Sequence, residues 1–161
     1  MYLICDFDGT LVKNDFFEEK FFKLFVEQPL LLIWYCFQLN GLIRLKHKLL
    51  DDYLPEYDLN FIFNQKIIDW VKENRKNYQG TFLISASPDT FVKRIVEPLA
   101  IFDKVYGSLN SNLKGINKLR FIQELGLTHF SYIGNSLADK PIFDAASQAF
   151  LINSNEITKL K

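Results

Sequence analysis

The amino-acid sequence predicts an α/β fold built on a parallel sheet of five strands. Short apolar runs recur along the chain, patterns of helical spacing lie between them, and several of the runs end at a small or polar residue. Strands that alternate with helices form parallel sheets. The predicted strands are Tyr2–Cys5, Thr81–Ile84, Lys104–Tyr106, Phe130–Ile133 and Ala149–Ile152.

Helices are predicted between these strands from apolar spacing and from residues that favour helix ends. Ser87 and Pro88 look like an N-cap followed by proline at the first helical position, which starts a helix that would end near Glu97. A later apolar stripe at helical spacing ends at Gly126, a residue typical of helix C-termini. The members of that stripe are Ile116, Leu119, Ile122 and Leu125.

The stretch between the first two strands is too long for a single crossover helix. It reads as four helices, at about 14–27, 29–38, 42–53 and 60–77. We expect the excess to form a small helical cap above the sheet edge, and the last helix to be the crossover. The expected division is a core of residues 1–12 and 57–161 with a cap insert of residues 13–56.

Composition excludes several classes of protein. The chain has 161 residues, of which 48% are hydrophobic and 24% charged, so it is neither disordered nor fibrous. Its 19 Lys and Arg balance 19 Asp and Glu, which gives no overall positive field for nucleic acid. The two cysteines form no disulfide framework and no metal motif, and Asp6 interrupts any signal peptide. A cytoplasmic setting is therefore expected.

The longest uncharged stretch, residues 28–43, does not have the about 20 mostly apolar residues that a membrane-spanning helix needs. The simplest interpretation is a buried helix of the cap. The alternative is a peripheral contact with a membrane or a protein partner through residues 29–43, since Trp34, Tyr35 and Phe37 suit an interface.

Polar residues follow three of the predicted strands. Asp6 and Asp8 come after the first strand, with Gly9 permitting a turn; Ser85 follows the second and Asn135 the fourth. Because parallel sheets bind ligands at the carboxyl ends of their strands, these residues should meet in one crevice. A pair of carboxylates can divide the work of a nucleophile or metal ligand and an acid–base catalyst.

The same crevice would suit a phosphoryl group and a hard cation. The Ser85 hydroxyl and N–H groups near Ala86 can hold phosphate oxygens. Lys114 opens a helix, with Lys118 one turn later, and phosphoryl transfer needs such positive charge. Asn135 and Asp139 place oxygen ligands four residues apart, which suits Mg²⁺.

Taken in order, these motifs resemble the four motifs of the haloacid-dehalogenase (HAD) superfamily. They are Asp6–Phe–Asp–Gly–Thr–Leu11, Ser85, Lys114–Gly115 and Gly134–Asn–Ser–Leu–Ala–Asp139. The resemblance covers residues 2 to about 153 and implies a Rossmann-like core with a cap after the first motif. Residues 112–115 and 134–139 are also similar to HAD domains fused ahead of membrane prenyltransferases.

The resemblance implies a mechanism. Asp6 would attack phosphorus to form an aspartyl-phosphate, and Asp8 would protonate the leaving oxygen and then activate water. Mg²⁺ would be held by Asp6, the Asp8 carbonyl, Asn135 and Asp139. Ser85, Ala86 and Lys114 would bind the phosphoryl oxygens, with Lys114 preferred to Lys118 because glycine follows it. Relatives often have aspartate where this chain has Asn135, which leaves the metal site one carboxylate fewer.

Three functions agree with these residues. The leading expectation is a Mg²⁺-dependent phosphatase of a small phosphorylated compound. A protein phosphatase acting on phosphotyrosine is the second, since a small cap leaves a wide crevice. The third is a catalytically weak binding module. An argument against this third function is that the chain retains all five residues Asp6, Asp8, Ser85, Lys114 and Asp139. The sequence fixes neither the substrate nor the oligomeric state.

Overall fold

The computed structural model describes residues 1–13, 16–38, 44–48, 63–109, 111–153 and 156–161. These ranges contain a sheet and the helices described below that pack on it. The sheet has six strands: β1 (Tyr2–Cys5), β2 (Thr81–Pro88), β3 (Lys104–Ser108), β4 (Phe130–Gly134), β5 (Gln148–Asn153) and β6 (Glu156–Lys159).

The strand order is β3-β2-β1-β4-β5-β6, with β1 in the middle of the sheet. All neighbours are parallel except β5 and β6, which pair antiparallel with Ile152 opposite Ile157. The parallel α/β fold and the five predicted strands are confirmed. The sixth strand is an addition to the prediction, and it is short, polar and at the sheet edge, where a strand needs no continuous apolar run.

Helices cover both faces of this sheet. Beyond the cap they are α4 (Gln65–Asn74), α5 (Asp89–Val96), α6 (Ile116–Glu124) and α7 (Lys140–Ala145), with single 3₁₀ turns at Arg75–Asn77, Glu97–Leu99 and Leu137–Asp139. Successive β1 residues point to opposite faces: Leu3 joins the apolar layer with α4 and α5, and Ile4 joins the layer with α6 and α7. The core is therefore a three-layer α/β/α arrangement.

The segment between β1 and α4 contains α1 (Phe16–Glu27), α2 (Pro29–Gln38) and a short helix, α3 (44–48). Leu24, Leu32 and Leu45, one from each helix, form a small apolar cluster of their own. The predicted helix at about 42–53 lies partly outside the described residues, as does the predicted cap boundary at 56 and 57.

The chain leaves the core and returns to it at one place. Val12 pairs with Phe63 in an isolated antiparallel bridge, and the Asn64 amide donates to the Leu11 carbonyl at 2.8 Å. A segment inserted into the core must leave and re-enter it at neighbouring points, as Val12 and Phe63 do. The division into core and cap stays a prediction that this geometry supports.

Several large apolar side chains of the cap helices face solvent. Leu30 is 80% exposed and Trp34 is 51% exposed on α2, and Phe22 on α1 is 68% exposed. Within the described ranges, no helix is long and apolar enough to cross a bilayer. The predicted contact surface at 29–43 is thus exposed in part, while residues 39–43 lie outside the described ranges.

Candidate active site

A cavity of about 620 Å³ opens at the carboxyl edge of the sheet, where β1, β2 and β4 end. Strand register sets this meeting point, because Cys5 lies opposite both Leu83 and Ile133 and the residues that follow each strand reach the same edge. The residues that line the cavity are Asp6, Asp8, Gly9, Lys13, Lys46, Ala86, Asn112, Lys114, Lys118, Asn135, Ser136, Ala138 and Asp139. Of the three strand ends predicted to converge, Asp6 and Asn135 line this cavity, whereas Ser85 does not.

Asp6 and Lys118 form a buried ion pair at the base of this cavity. Lys118 Nζ lies 2.6 Å from Asp6 Oδ1 and 3.8 Å from Asp139 Oδ1, and its side chain is only 3% exposed. Burial alone would lower the pKa of Lys118, but the carboxylates of Asp6 and Asp139 outweigh it and raise the pKa. Lys118 therefore stays a cation beside the predicted nucleophile.

The lysine beside Asp6 is not the one that the Lys-Gly pattern favours. Lys114 is exposed at the rim of the cavity, in the loop before α6. Lys118 lies on the buried face of α6 together with Leu119 and Ile122. The helix begins at Ile116, so only the later lysine is carried toward β1 and β4.

Tyr132, on β4, contacts the Lys118 ammonium. Its ring is fully buried on β4 against Phe143, and its hydroxyl oxygen accepts a hydrogen bond from Lys118 at 3.2 Å. Burial, followed by the nearby charges of Asp6 and Asp139, raises the pKa of Tyr132 well above its ordinary value. The phenol therefore stays protonated beside Lys118. Tyr132 lies within an apolar strand run, so the motifs do not predict it as a site residue.

Asp8 is held by two serines of β2. The Ser87 hydroxyl donates to Asp8 Oδ2 at 2.7 Å, and the Ser85 hydroxyl lies 3.4 Å from the same oxygen. Ser85 Oγ also accepts a hydrogen bond from the Ser87 amide at 2.9 Å. The two serines thereby fix the orientation of the Asp8 carboxylate.

This arrangement departs from the sequence prediction for β2. Ser87 does not cap α5, because β2 continues to Pro88 and the helix has no side-chain cap. Ser85 is fully buried with its hydroxyl directed at Asp8, whereas Ala86 lines the cavity. The alternation of Ser85 and Ser87 along an extended strand is a signal that they share a face.

Gly9 allows the loop after β1 to approach Asn135 closely. Its φ is +70°, and a Cβ built at this position would collide with the Asn135 amide nitrogen. Thr10, which is fully buried, donates from Oγ1 to Asn135 Oδ1 at 3.4 Å. The first and fourth motifs are therefore in direct contact, and the Asn135 side chain is held at the cavity wall.

Asp139 has a pKa that departs from the ordinary value of a carboxyl group. Burial, and after it the charge of Asp6, raises the pKa of Asp139 to about 6, although Lys118 opposes the shift. Its Oδ2 atom is buried and accepts no hydrogen bond from any residue that the structure describes. An oxygen in this state is suited to a cation.

The oxygen donors around the cavity are of the kind that Mg²⁺ uses. Among the described residues, no three acidic, histidine or cysteine side chains converge as a metal cluster. Asp6 and Asp139 with the Asn135 amide match the one or two carboxylates that Mg²⁺ uses while it keeps several waters.

Cys5 lies beside this centre and takes no part in it. It is fully buried, and burial raises the pKa of its thiol far above the ordinary value. Such a thiol is inert as a nucleophile.

Comparison with known proteins begins with sequence. No family model matches this chain. An uncharacterized protein, y4nM, of Sinorhizobium fredii (strain NBRC 101917 / NGR234) is 34% identical over 156 residues, which is 93% of this chain. The chain spans only 29% of the length of that relative.

Solved structures resemble the chain over nearly its whole length. A HAD-superfamily hydrolase from Ehrlichia chaffeensis has a TM-score of 0.59 at 15% identity and covers 96% of this chain and 88% of its own. A phosphoserine phosphohydrolase-like protein from Francisella tularensis has a TM-score of 0.62 at 15% identity, with the same coverage.

A third structure, a phospho-aspartyl intermediate analogue of phosphoserine phosphatase, has a TM-score of 0.57 at 19% identity and covers 92% of this chain and 84% of its own. None of these comparisons bears on the similarity to domains fused to prenyltransferases, which stays a prediction. The order of strands, the inserted helices and these three structures together show that the chain has the fold of HAD-superfamily hydrolases.

Proposed function

We propose that this protein is a Mg²⁺-dependent phosphomonoester hydrolase that acts through an aspartyl-phosphate on Asp6. The proposal rests above all on the Lys118 ammonium, which is buried 2.6 Å from the Asp6 carboxylate at the carboxyl edge of the sheet. A permanent cation there suits a site where negative phosphoryl oxygens must be bound. The phosphoserine phosphatase neighbour, solved as a phospho-aspartyl intermediate analogue, supports the same chemistry.

In the first step the Asp6 carboxylate attacks phosphorus as the bond from phosphorus to the leaving oxygen breaks. Asp8, oriented by Ser87, gives that oxygen its proton. In the second step Asp8 takes a proton from water, the water attacks the phosphoryl group, and inorganic phosphate leaves. Lys118 opposes the negative charge on the phosphoryl oxygens in both steps.

The remaining residues hold the reacting groups. Asp6, the Asp8 carbonyl, Asn135 and Asp139 would hold Mg²⁺, which would offset the charge of the phosphoryl oxygens. Ala86 at the cavity wall would contact the phosphoryl group through its backbone, while Ser85 positions Asp8. We therefore assign to Lys118 the role that the sequence pattern gives to Lys114.

The substrate we propose is a small phosphorylated compound in a cytoplasmic setting. Lys46 belongs to the short cap helix and lines the cavity, so the cap contributes to the wall around the leaving group. A wall on that side limits the size of what can approach Asp6 and favours a small molecule over a folded phosphoprotein.

The test compares Asp6→Asn with Asp144→Asn, a matched change at an exposed residue that pairs with Lys140. Asp6→Asn should abolish hydrolysis of nitrophenyl phosphate. It also breaks the buried ion pair with Lys118, so its Tm should fall, but it should still unfold in a single cooperative transition. Asp144→Asn should keep its activity. Chelation should stop the wild type, and added Mg²⁺ should restore it. A folded Asp6→Asn protein with near-normal turnover would refute the assignment.

A further inference from the structure

The Lys118 ammonium donates to two residues that the structure describes. It lies 2.6 Å from Asp6 Oδ1 and 3.2 Å from the Tyr132 hydroxyl oxygen, while Asp139 Oδ1 is farther away, at 3.8 Å. An ammonium group has three N–H donors. These two contacts use two of the donors, so the third can serve a phosphoryl oxygen in the cavity that Lys118 lines.

The fold fixes the position of the Tyr132 hydroxyl. Tyr132 lies opposite Ile4 of β1, in the buried layer that includes the apolar face of α6. Its ring packs edge-on against Phe143, with 5.4 Å between the ring centroids. Gly134 leaves space for the ring, since a Cβ there would stand 2.7 Å from Tyr132 Cε1. The hydroxyl is therefore held in place, whereas the side chain of Lys118 is long and flexible.

Packing alone does not explain why this position has a hydroxyl. A phenylalanine would fill the same apolar layer without a polar atom to bury. A buried hydroxyl is costly unless it has a hydrogen-bond partner, and here the partner is the ammonium that faces Asp6. The phenol of Tyr132 thus adjoins the reacting group through a single intervening residue, Lys118.

The attraction between Asp6 and Lys118 changes during the proposed reaction. When Asp6 attacks phosphorus, its carboxylate becomes the uncharged acyl group of the aspartyl-phosphate, so its hold on Lys118 weakens. In the second step water attacks phosphorus and the bond from phosphorus to Asp6 breaks. The electron pair of that bond returns to the Asp6 carboxylate, and Asp8 takes the proton of the water. A cation is then needed beside Asp6, at the stage when Asp6 itself attracts it least.

We propose that Tyr132 is a positioning residue, which holds the Lys118 ammonium beside Asp6 while the aspartyl-phosphate exists. The inference rests on the proposed phosphatase function and adds a residue to its second step. Without the hydroxyl, the ammonium would follow the phosphoryl oxygens away from Asp6, and the charge that returns to the carboxylate would be less well stabilised. A hydrogen bond from a charged donor corresponds to roughly a tenfold change in rate or more.

The test uses Tyr132→Phe, which removes the hydroxyl and keeps the ring. Nitrophenyl phosphate is the substrate, because its good leaving group makes the first step fast and the second step rate-limiting. We expect kcat and KM to fall together by about tenfold, with kcat/KM nearly unchanged. Phosphorylated enzyme should accumulate in the intact-mass spectra of acid-quenched samples. A mere loss of folded protein would instead lower kcat at an unchanged KM.

Two other variants distinguish this role from packing. Tyr106→Phe is the matched control, because it removes a phenol hydroxyl from a ring that packs 5.4 Å from Phe121 of the same helix, α6. Its kcat and KM should equal those of the wild type. Phe143→Leu keeps the Tyr132 hydroxyl but loosens its ring, so kcat and KM should fall together by a smaller factor.

The outcomes separate the inference from the proposed function. In Tyr132→Phe, wild-type kcat and KM, or a fall in kcat that KM does not share, would overturn the inference and leave the function intact. An equal joint fall in Tyr106→Phe would overturn it as well. If Tyr132→Phe does not fold, Phe143→Leu decides, and an unchanged KM in that variant would overturn the inference. A wild type with neither turnover nor phosphorylated enzyme would refute the phosphatase itself.

Discussion

Replacing Lys118 by methionine removes the buried cation of the site and keeps a side chain of similar length. The ammonium lies 2.6 Å from Asp6, 3.8 Å from Asp139 and 3.2 Å from the Tyr132 hydroxyl. Without it, two carboxylates share a buried space with no cation between them. Both turnover and stability should therefore fall.

The expected size of the loss follows from burial. Removing one partner of a buried ion pair costs roughly 3–5 kcal/mol, and we expect about 3 because Asp139 can take up a proton. At this chain length that loss lowers Tm by roughly 6–12 °C. Loss of a charge that stabilises the transition state should lower kcat by roughly 10²–10³.

The stability deficit of the metal-free variant should depend on pH. The pKa of Asp139 is already raised to about 6, above its unfolded value of about 3.9, and Lys118 is one of the groups that lower it. Removing Lys118 raises the pKa of Asp139 in the folded state further. Ionisation of Asp139 therefore destabilises the folded state once the pH exceeds the pKa of Asp139 in the unfolded chain. The deficit should be smaller at about pH 5 than at pH 8.

Urea unfolding and nitrophenyl phosphate hydrolysis measure the two effects, with Lys114→Met as the matched control. Lys114 is exposed, so its loss should change stability by less than about 0.5 kcal/mol. Its turnover of this substrate should fall much less than that of Lys118→Met. If Lys114→Met loses more activity than Lys118→Met, Lys114 is the phosphate-binding lysine and the assignment from the structure is wrong.

Three further variants test other parts of the site. Asp8→Asn should lower kcat by roughly 10²–10⁴ for alkyl phosphates and less for nitrophenyl phosphate, whose leaving group needs little protonation; equal losses would exclude Asp8 as the acid. Asn135→Asp should tighten Mg²⁺ binding in calorimetry and leave the enzyme active, and unchanged affinity would show that this residue does not touch the cation. Gly9→Ala should destabilise the protein by roughly 1–3 kcal/mol, since its positive φ and the contact with Asn135 both resist a Cβ; an unchanged denaturation midpoint would contradict that geometry.

The strand ends were the part of the site most open to prediction. Asp6, Ser85 and Asn135 each follow an apolar run, and parallel pairing brings the ends of such runs to one edge without further information. The antiparallel β6 carries no comparable signal, because a polar edge strand of four residues resembles a loop.

Helix phase explains why the choice between the lysines is harder. Lys114 and Lys118 are a turn apart. Leu119, Ile122 and Leu125 of the predicted stripe do pack against the core, but its first member, Ile116, is 50% exposed. The buried face of α6 contains Lys118, Leu119 and Ile122. A lysine four residues before a buried isoleucine indicates that the lysine lies on the buried face of the helix. A buried ammonium group on that face is explained only when Asp6 lies opposite it.

Two lysines that line the cavity, Lys13 and Lys46, could not be predicted from spacing. They are far apart in the sequence and lie outside the four motifs, so only the fold brings both to this cavity. The sequence predicts Ser87 as a helix cap, because Ser-Pro favours a helix start. In the structure Ser87 belongs to β2, and its hydroxyl contacts Asp8 instead.

The central place of β1 has a consequence for how the chain acquires its structure. Leu3 pairs with Thr81 and Tyr2 with Phe130, so the earliest strand of this sheet must wait for partners that follow much later in the chain. Contacts so distant in sequence make folding slow, because long loops have to close before pairing is rewarded. Until β4 emerges, the apolar edge of β1 lacks one neighbour and is open to pairing with other chains. The residues that hold Asp6 are thus among the last to be assembled around it, and partial chains should be both inactive and prone to aggregate.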